Sequence, residues 1–528
     1  MLGYVREMLS AALFGDRSGI YDAFITAWRV PNLFRRFLGE GALSTSFQTA
    51  LTAVDEDEGE GAGRTLFTRT LRMLLGLAVG LCLVVMALVA LAPDQMPGTG
   101  WEWLGKDPGA VRELTLRVMP FVVLICVSAL VTGALQVRGF FAAPAIAPAA
   151  MNVVWILSLL VVAFRFGWDG SASEIHGDLG AEAALRHMDM ARTLAWGVLA
   201  AGVVQLAVQW PALRQSGFLG PRSKPVPLPA GAPRPFDVLR RAAPLALGAA
   251  VYQINVMVDG LMAEGLLSDG GPTVHYLANR VQQFPLALIA VAATSAVFPA
   301  LQQLGHRGDL GALRRLHDRT HLAVVAIALP AAVGLFALAE PVIEVSFAHG
   351  AFGREGVERT TAALRVLCFA ILPAGATGLI ARTYYSVGDF MTPVKVSAAM
   401  LLLNGVLNVW FLVGLGLDVD GLAAATAITS ALNAALLLPG LSRKLGLPSS
   451  EARFLRTTAR VLIASVVCAA AAAASEAALD GIIGGALALL VAMAVGGVTY
   501  VALAQWMGVE DVRTIVARVR GKISRSRS

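Results

Sequence analysis

The sequence predicts an all-α, polytopic membrane protein with two six-helix lobes related by a parallel repeat and two further C-terminal helices. Three observations predict it: a low charge content, recurrent apolar runs of membrane length, and a long internal repeat. Of 528 residues, 56% are hydrophobic and 15% are charged, and the mean hydropathy is +0.68. Soluble domains carry about 25% charged residues, so this chain has too few to solvate its own surface. That composition excludes a disordered chain and a string of soluble domains. The apolar runs are about 20 residues long and lack period-two alternation, which argues for helices rather than an outer-membrane barrel.

Thirteen runs read as membrane helices, at 20–50, 66–92, 113–137, 145–166, 191–213, 238–263, 274–303, 319–338, 360–387, 392–416, 421–441, 455–475 and 481–506. Residues 1–14 look like the tail of one more helix that begins abruptly at Met1. The first helix is therefore expected to be truncated, and counting it gives fourteen.

Charge fixes an expected orientation. The net charge is +6, but the basic residues sit in short loops between apolar runs, where they orient helices rather than bind nucleic acid. Segment 214–241 carries six basic residues against Asp237, 304–319 four against two acids, 443–456 four against Glu451, and 512–528 six with no acid. Segments 167–190 and 339–358 carry five and four acids, each against one arginine. Counting Lys and Arg places the basic loops and the C-terminus in the cytoplasm. The acidic segment 54–64 falls on that side too, and acids contribute little to the rule.

The repeat appears as matches at a constant offset. Arg117 and Phe121 correspond to Arg365 and Phe369 at 248 residues. Gly139, Phe141, Pro144, Ala150 and Met151 correspond to Gly388, Phe390, Pro393, Ala399 and Met400 at 249. Tyr21, Pro31 and Phe47 pair more loosely with Tyr276, Pro285 and Phe298. Apolar helices share Leu, Ala and Val by chance, but shared Gly, Pro, Arg and aromatic positions are harder to obtain that way. Six spans separate the copies, so both run the same way through the membrane. Transporters built from such repeats carry substrate between their halves.

Ionisable residues inside a membrane are costly and functional by default. The run 20–50 holds Asp22, Arg29, Arg35, Arg36 and Glu40 around Pro31, Gly39 and Gly41. Arg6 precedes it, and Arg280 lies in the repeat-equivalent helix. Arginine binds phosphate oxygens bidentately and stays charged. A cavity with Arg6, Arg35 and Arg280 suits an anionic, phosphorylated substrate. Arg36 also fits a snorkelling interface anchor, and Asp22 and Glu40 fit salt-bridge partners of the arginines. Asp259 lies deep in an apolar helix, Asn404 and Asn408 share a helix face, and Thr426 and Thr429 lie on the next. These oxygens suit a monovalent cation such as sodium, or equally a hydrogen-bonded patch between helices.

Enzyme signatures are missing: there is no P-loop, no G-x-S-x-G and no H-E-x-x-H. The seven histidines read as loop residues, and the four cysteines lie in apolar runs without a C-x-x-C. Neither a zinc site nor a disulfide framework is suggested.

The stretch Leu2-Gly-Tyr-Val-Arg6-Glu through Phe14-Gly15, then Asp22-Ala-Phe, Arg29-Val-Pro-Asn-Leu-Phe-Arg35-Arg36 and Glu40-Gly-Ala-Leu-Ser44, resembles the lipid II flippase family MurJ (MviN). This family belongs to the multidrug/oligosaccharidyl-lipid/polysaccharide exporter superfamily. Asn279-Arg280, Phe284-Pro285 and the turn Gly388-Asp389-Phe through Thr392-Pro393 also fit. The resemblance implies two six-helix lobes, a cationic cavity and a lipid-tail groove along the last two helices. It implies an inner-membrane flippase that moves lipid II, undecaprenyl-pyrophosphate carrying a disaccharide-pentapeptide, to the outer leaflet. It gives no enzyme activity, no cofactor beyond possible sodium, and cell-wall synthesis proteins as candidate partners. By position Arg6, Asp22, Arg35 and Arg280 match the family's functional charges, and Asp259, Asn404, Asn408 and Thr426 approximately match a sodium site. Two departures stand near Arg280: Asn279 replaces a frequent acid and Gln283 a frequent glutamate. The family also carries a further helical turn, with a functional arginine, ahead of Leu2. The expected divisions are an N-terminal lobe 1–219, a linker 220–235, a C-terminal lobe 236–446, two extra helices 447–510 and a basic tail 511–528. The alternatives are a flippase for another polyprenyl-pyrophosphate glycan, and a non-transporting scaffold or degenerate copy.

Overall fold

The computed structural model of the protein describes residues 2–34, 42–91, 107–167, 181–219, 226–228, 233–289, 297–445 and 451–509. Among these residues every regular element is helical. In chain order they are α1 (Leu2–Phe14), α2 (Gly19–Phe34), α3 (Ala42–Glu58), α4 (Glu60–Leu91), α5 (Pro108–Val118), α6 (Phe121–Val137), α7 (Ala142–Phe166), α8 (Ala181–Gln215) and α9 (Pro235–Leu266). They continue as α10 (Gly271–Ile289), α11 (Phe298–His306), α12 (Leu310–Ala337), α13 (Ala339–Phe347), α14 (Arg354–Ser386), α15 (Met391–Val409), α16 (Val419–Leu445), α17 (Glu451–Ile483) and α18 (Gly485–Trp506). A π-helical turn, Trp410–Gly414, prolongs α15.

Ten of the helical segments described are long and apolar enough to cross a membrane. Leu83, Leu88 and Leu91 on α4, Phe164 on α7, and Val498 and Trp506 on α18 are more than half exposed. Apolar surface of this extent belongs against hydrocarbon. Three of the thirteen expected runs fall outside the ten. Run 20–50 divides into α2 and α3, and run 274–303 into α10 and α11, with residues 35–41 and 290–296 outside the described set. Run 238–263 lies within the continuous helix α9. Segment 339–358, expected as an acidic loop, contains α13 and the start of α14. Nor are the histidines loop residues in general: His187, His275, His306, His317 and His321 all lie on helices.

The chain forms two compact units. Unit 1 is Met1–Thr273 with His349–Gly353, and unit 2 is Val274–Ala348 with Arg354–Ser528. Unit 1 therefore includes α9, which the expected division placed in the second lobe. Its core is a chain of aromatic contacts, Phe14–Tyr21–Phe24–Trp155–Trp28–Phe121, with ring centroids 4.6 to 6.4 Å apart. These rings join α1, α2, α6 and α7, and α8 packs against α6 and α7. In unit 2, α12 packs on α14 and α17, α14 on α16, and α17 on α18. Pro330 inside α12 has no N–H to give the carbonyl four residues earlier. That carbonyl, on Ala326, accepts the Tyr500 hydroxyl of α18 at 2.6 Å, so the last helix completes the interrupted ladder.

The spacing of 249 residues recurs in backbone conformation. Gly59 and Gly308, Gly139 and Gly388, and Gly167 and Gly416 all have positive φ, between 65° and 86°. Each pair is 249 residues apart, and each glycine sits between two successive helices of its unit. The Gly139 and Gly388 turns close alike. Phe140 N–H donates to the Leu135 carbonyl at 2.9 Å and Asp389 N–H to the Tyr384 carbonyl at 3.0 Å. Both need a left-handed residue just past the helix end, where glycine carries no Cβ penalty.

Each of these two turns is tied down by an ion pair. Arg138 meets Asp55 at 3.0 Å and Glu60 at 2.6 Å. Burial pushes the Asp55 carboxyl up to about 6, although Arg138 pulls the other way. In the second turn Lys444 Nζ meets Asp389 at 2.7 Å, and Thr392 donates its N–H at 3.0 Å and its hydroxyl at 2.7 Å. Burial opposes ionisation of Asp389, but these donors outweigh it and hold the carboxyl at about 2, against an ordinary 3.8. A depressed carboxyl stabilises the fold above its unfolded pKa and loses that stabilisation as pH falls through the folded one. Asp389→Asn is therefore expected to cost about 1 kcal/mol at pH 7, because the half-exposed Lys444 partner leaves the pair screened by water. The gap to the wild type should close between pH 4 and 2, read by thermal unfolding in detergent.

Candidate functional site

The charged motif of α2 lies along one helix face. Asp22, Thr26 and Arg29 follow at i, i+4 and i+7, the spacing that stacks side chains in an α-helix. Asp22 is buried, 3% exposed, and sits at the first turn of α10. Its Oδ2 accepts the Gly270 N–H at 2.7 Å. Its Oδ1 accepts the Thr273 N–H at 3.0 Å and the Thr273 hydroxyl at 2.5 Å. Free N–H groups at a helix start favour an anion, and here the anion is a carboxylate from another helix. Gly270 has φ +79°, which turns the chain so that its N–H faces Asp22.

One turn further along, the Thr26 hydroxyl donates to Glu264 Oε2 of α9 at 2.8 Å, and both residues are buried. Another turn along, the Arg29 guanidinium lies against α9 at Gly260, where a Cβ would overlap it. Glycine at 260 thus makes room for the arginine. Asp22, Glu264, Asp107 and Asp269 line a cavity of about 30 Å³, room for one or two waters.

Arg6, on α1, is also buried. Its guanidinium pairs with Glu7, stands 4.2 Å over the Trp155 ring and reaches Asn152 Oδ1 at 3.4 Å. In unit 2, Arg280 is half-buried on α10 and donates to Gln283 at 3.5 Å, one turn along the same helix.

A profile of the family described as "Lipid II flippase MurJ" matches residues 10–492. The chain is 30% identical over 521 residues, 98% of its length and 93% of the relative's, to a probable lipid II flippase MurJ of Bdellovibrio bacteriovorus. The chain belongs to the MurJ family. A protein of Burkholderia cenocepacia named lipid II flippase MurJ is 27% identical, covering 88% of this chain and 85% of that protein. A solved structure described as lipid II flippase MurJ in an inward closed conformation matches with a TM-score of 0.68 at 20% identity, covering 95% of each chain. An inward-facing multidrug-resistance MATE transporter of the MOP superfamily matches at 0.66 and 13% identity, over 84% of this chain and 94% of that one. At such identities these likenesses carry the fold.

The MurJ motif can now be placed residue by residue. Arg6 and Asp22 belong to unit 1 and Arg280 to unit 2. Arg35, Arg36 and Glu40 lie outside the described residues. Among the described residues Asp22 makes no salt bridge to an arginine, the partner its sequence context suggested. Its two oxygens are taken by backbone N–H groups and a hydroxyl. Of the expected ion ligands, Asp259 is buried on α9 in unit 1 and accepts from Asn255 at 3.1 Å. Asn404 and Asn408 are fully buried on α15 in unit 2, where Asn408 Nδ2 donates to Asn404 Oδ1 at 3.1 Å. Thr426 lies on the neighbouring helix α16, its carbonyl accepting the Thr429 hydroxyl at 3.3 Å. Among the described residues, no group of three or more His, Cys, Asp or Glu is placed to hold a metal ion.

Thr26, Gly260, Glu264 and Thr273 were not foreseen from sequence. The i+4 position of Thr26 after Asp22 was the available signal. Glu264 gave none, since it follows the apolar part of α9 and reads as a loop residue.

Exchange of a helical glycine for alanine usually gains up to about 1 kcal/mol. Gly260→Ala should instead lower the thermal unfolding temperature or displace Arg29. Gly76→Ala on α4, where no atom lies within 4 Å of the new methyl, is the matched control and should be neutral or stabilising.

Proposed function

We propose that the protein moves the lipid-linked peptidoglycan precursor, lipid II, from the inner to the outer leaflet of the cytoplasmic membrane. The observation that carries the reading is family membership over nearly the whole chain, and by position Arg6, Asp22, Arg35 and Arg280 match the family's functional charges. Basic loops and the C-terminus face the cytoplasm in this reading, and segments 167–190 and 339–358 face outward.

The diphosphate headgroup is the part that cannot cross hydrocarbon unaided, whereas the polyprenyl tail stays in lipid. Arginines supply fixed positive charge for it. Arg6 is already ion-paired with Glu7, so engaging phosphate means exchanging one anion for another rather than baring a charge. Arg280, next to a neutral Gln283, offers a second guanidinium. The membrane potential, negative inside, drives uncompensated negative charge outward at about 2.3 kcal/mol per charge per 100 mV. Sodium is the coupling ion proposed for Asp259, Asn404, Asn408 and Thr426. Proteins that consume the exported precursor are the proposed partners.

The test is rescue of cells depleted of their own flippase. The wild-type chain should restore growth and precursor delivery. Arg280→Ala should abolish rescue at unchanged abundance, and full rescue by that variant removes Arg280 from the site. A chain that reaches the membrane but never restores delivery refutes transport of this substrate. Transport should depend on sodium in the wild type and lose that dependence in Asp259→Asn. A wild-type rate indifferent to sodium rejects the ion assignment.

A further inference from the structure

The turn between α1 and α2 is gripped by a distant piece of chain. Residues His349–Gly353 leave α13 and lead into α14, yet they cluster with unit 1. Ala351 N–H donates to the Ala12 carbonyl at 2.8 Å. Gly353 N–H donates to Asp16 Oδ1 at 2.9 Å across 337 residues. Asp16 is buried, 5% exposed. The two backbones touch without side chains between them. Gly15 and Gly350 both have positive φ, 77° and 62°. A Cβ on Gly15 would strike the Ala351 carbonyl, and one on Gly350 the Ala12 carbonyl.

The composition of this contact separates it from the core beside it. Phe14, Tyr21 and Phe24 interlock large rings. Where the strap meets the turn it offers glycine, alanine and two hydrogen bonds, while Phe352 beside them is buried. The backbone approach is demanding in shape, because no larger residue fits at Gly15 or Gly350, and the approach itself is held by two hydrogen bonds of modest net strength. Those are the properties of a fastening made and broken repeatedly.

We propose that His349–Gly353 is a releasable latch on the α1–α2 turn, with Asp16 as its catch, engaged in the state seen here and broken in the opposite state of the transport cycle. The proposal rests on the transporter reading, and the orientation given above puts the strap on the outer face.

Ala351→Cys in the full chain, labelled in intact cells with a membrane-impermeant maleimide, reports the latch. Adding Asp16→Ala should raise the initial labelling rate roughly fivefold or more, the shift expected when one hydrogen bond leaves a two-state equilibrium. Asp16→Asn keeps an acceptor oxygen and should give a smaller rise. The four native cysteines are buried, and their continued protection separates latch opening from unfolding. In a second arm, Asp16→Cys with Gly353→Cys is oxidised, bond formation being read by gel mobility. The cross-linked chain should lose rescue and regain it on reduction. Equal labelling rates with and without Asp16→Ala, or undiminished rescue by the cross-linked chain, overturns the latch. Neither result touches the flippase reading, which wild-type rescue tests separately.

Discussion

A buried carboxylate governs the geometry of the first unit. Taking an ionised carboxyl out of water costs several kcal/mol unless its lone pairs are met. Asp22 meets that cost with two backbone N–H groups and one hydroxyl at the start of α10. The donors are in place because Gly270 adopts a left-handed conformation and Thr273 supplies both its N–H and its side chain. A longer or shorter α9–α10 turn would strand the charge. The other α2 contacts follow from this anchor. With Asp22 fixed, helical periodicity sets Thr26 opposite Glu264 and Arg29 opposite Gly260. α2 is thereby joined to α9 at two successive turns and to the start of α10 at a third.

Local rules made much of the architecture legible in the sequence. The ten apolar spans follow from composition and length alone. The 249-residue spacing seen in Gly139 and Gly388 reappears as matched positive φ at three pairs of helix junctions, two of which sequence matching had not picked out. Repeated turn geometry needs a repeated glycine, so conformation and sequence report the same constraint. Reading failed where a contact depends on residues far apart. The Thr26–Glu264 bond spans 238 residues and the Asp16–Gly353 bond 337, and neither leaves a trace in periodicity. It failed also where charge hid a helix. Glu340 and Glu344 made α13 look like a loop, although both lie on a nine-residue helix ahead of α14. His317 on α12 was hidden in the same way, because it lies in the charged segment 304–319 that read as a basic loop.

The two arginines that the motif singles out stand in different electrostatic settings. Arg6 is enclosed, with Glu7 as counter-ion and Trp155 beneath the guanidinium. Arg280 is half-buried with an amide for its neighbour. A guanidinium already paired gains little from a new anion unless its first partner leaves. For Arg6 that first partner is Glu7.

Transport by alternating access needs parts that keep their shape and contacts that let go. The aromatic chain from Phe14 to Phe121 is of the first kind, and so is the Tyr500 hydroxyl that repairs the ladder broken by Pro330. Both fasten helices through large side chains, or through a carbonyl to which a proline four residues on gives no N–H. The contacts at the α1–α2 turn are of the other kind. Backbone atoms meet there across glycine and alanine, and water can replace each lost hydrogen bond. The stiff elements and the yielding ones adjoin at Phe14 and Gly15. A helix end held rigidly on one side and loosely on the other is where a small displacement can be transmitted without disturbing the core.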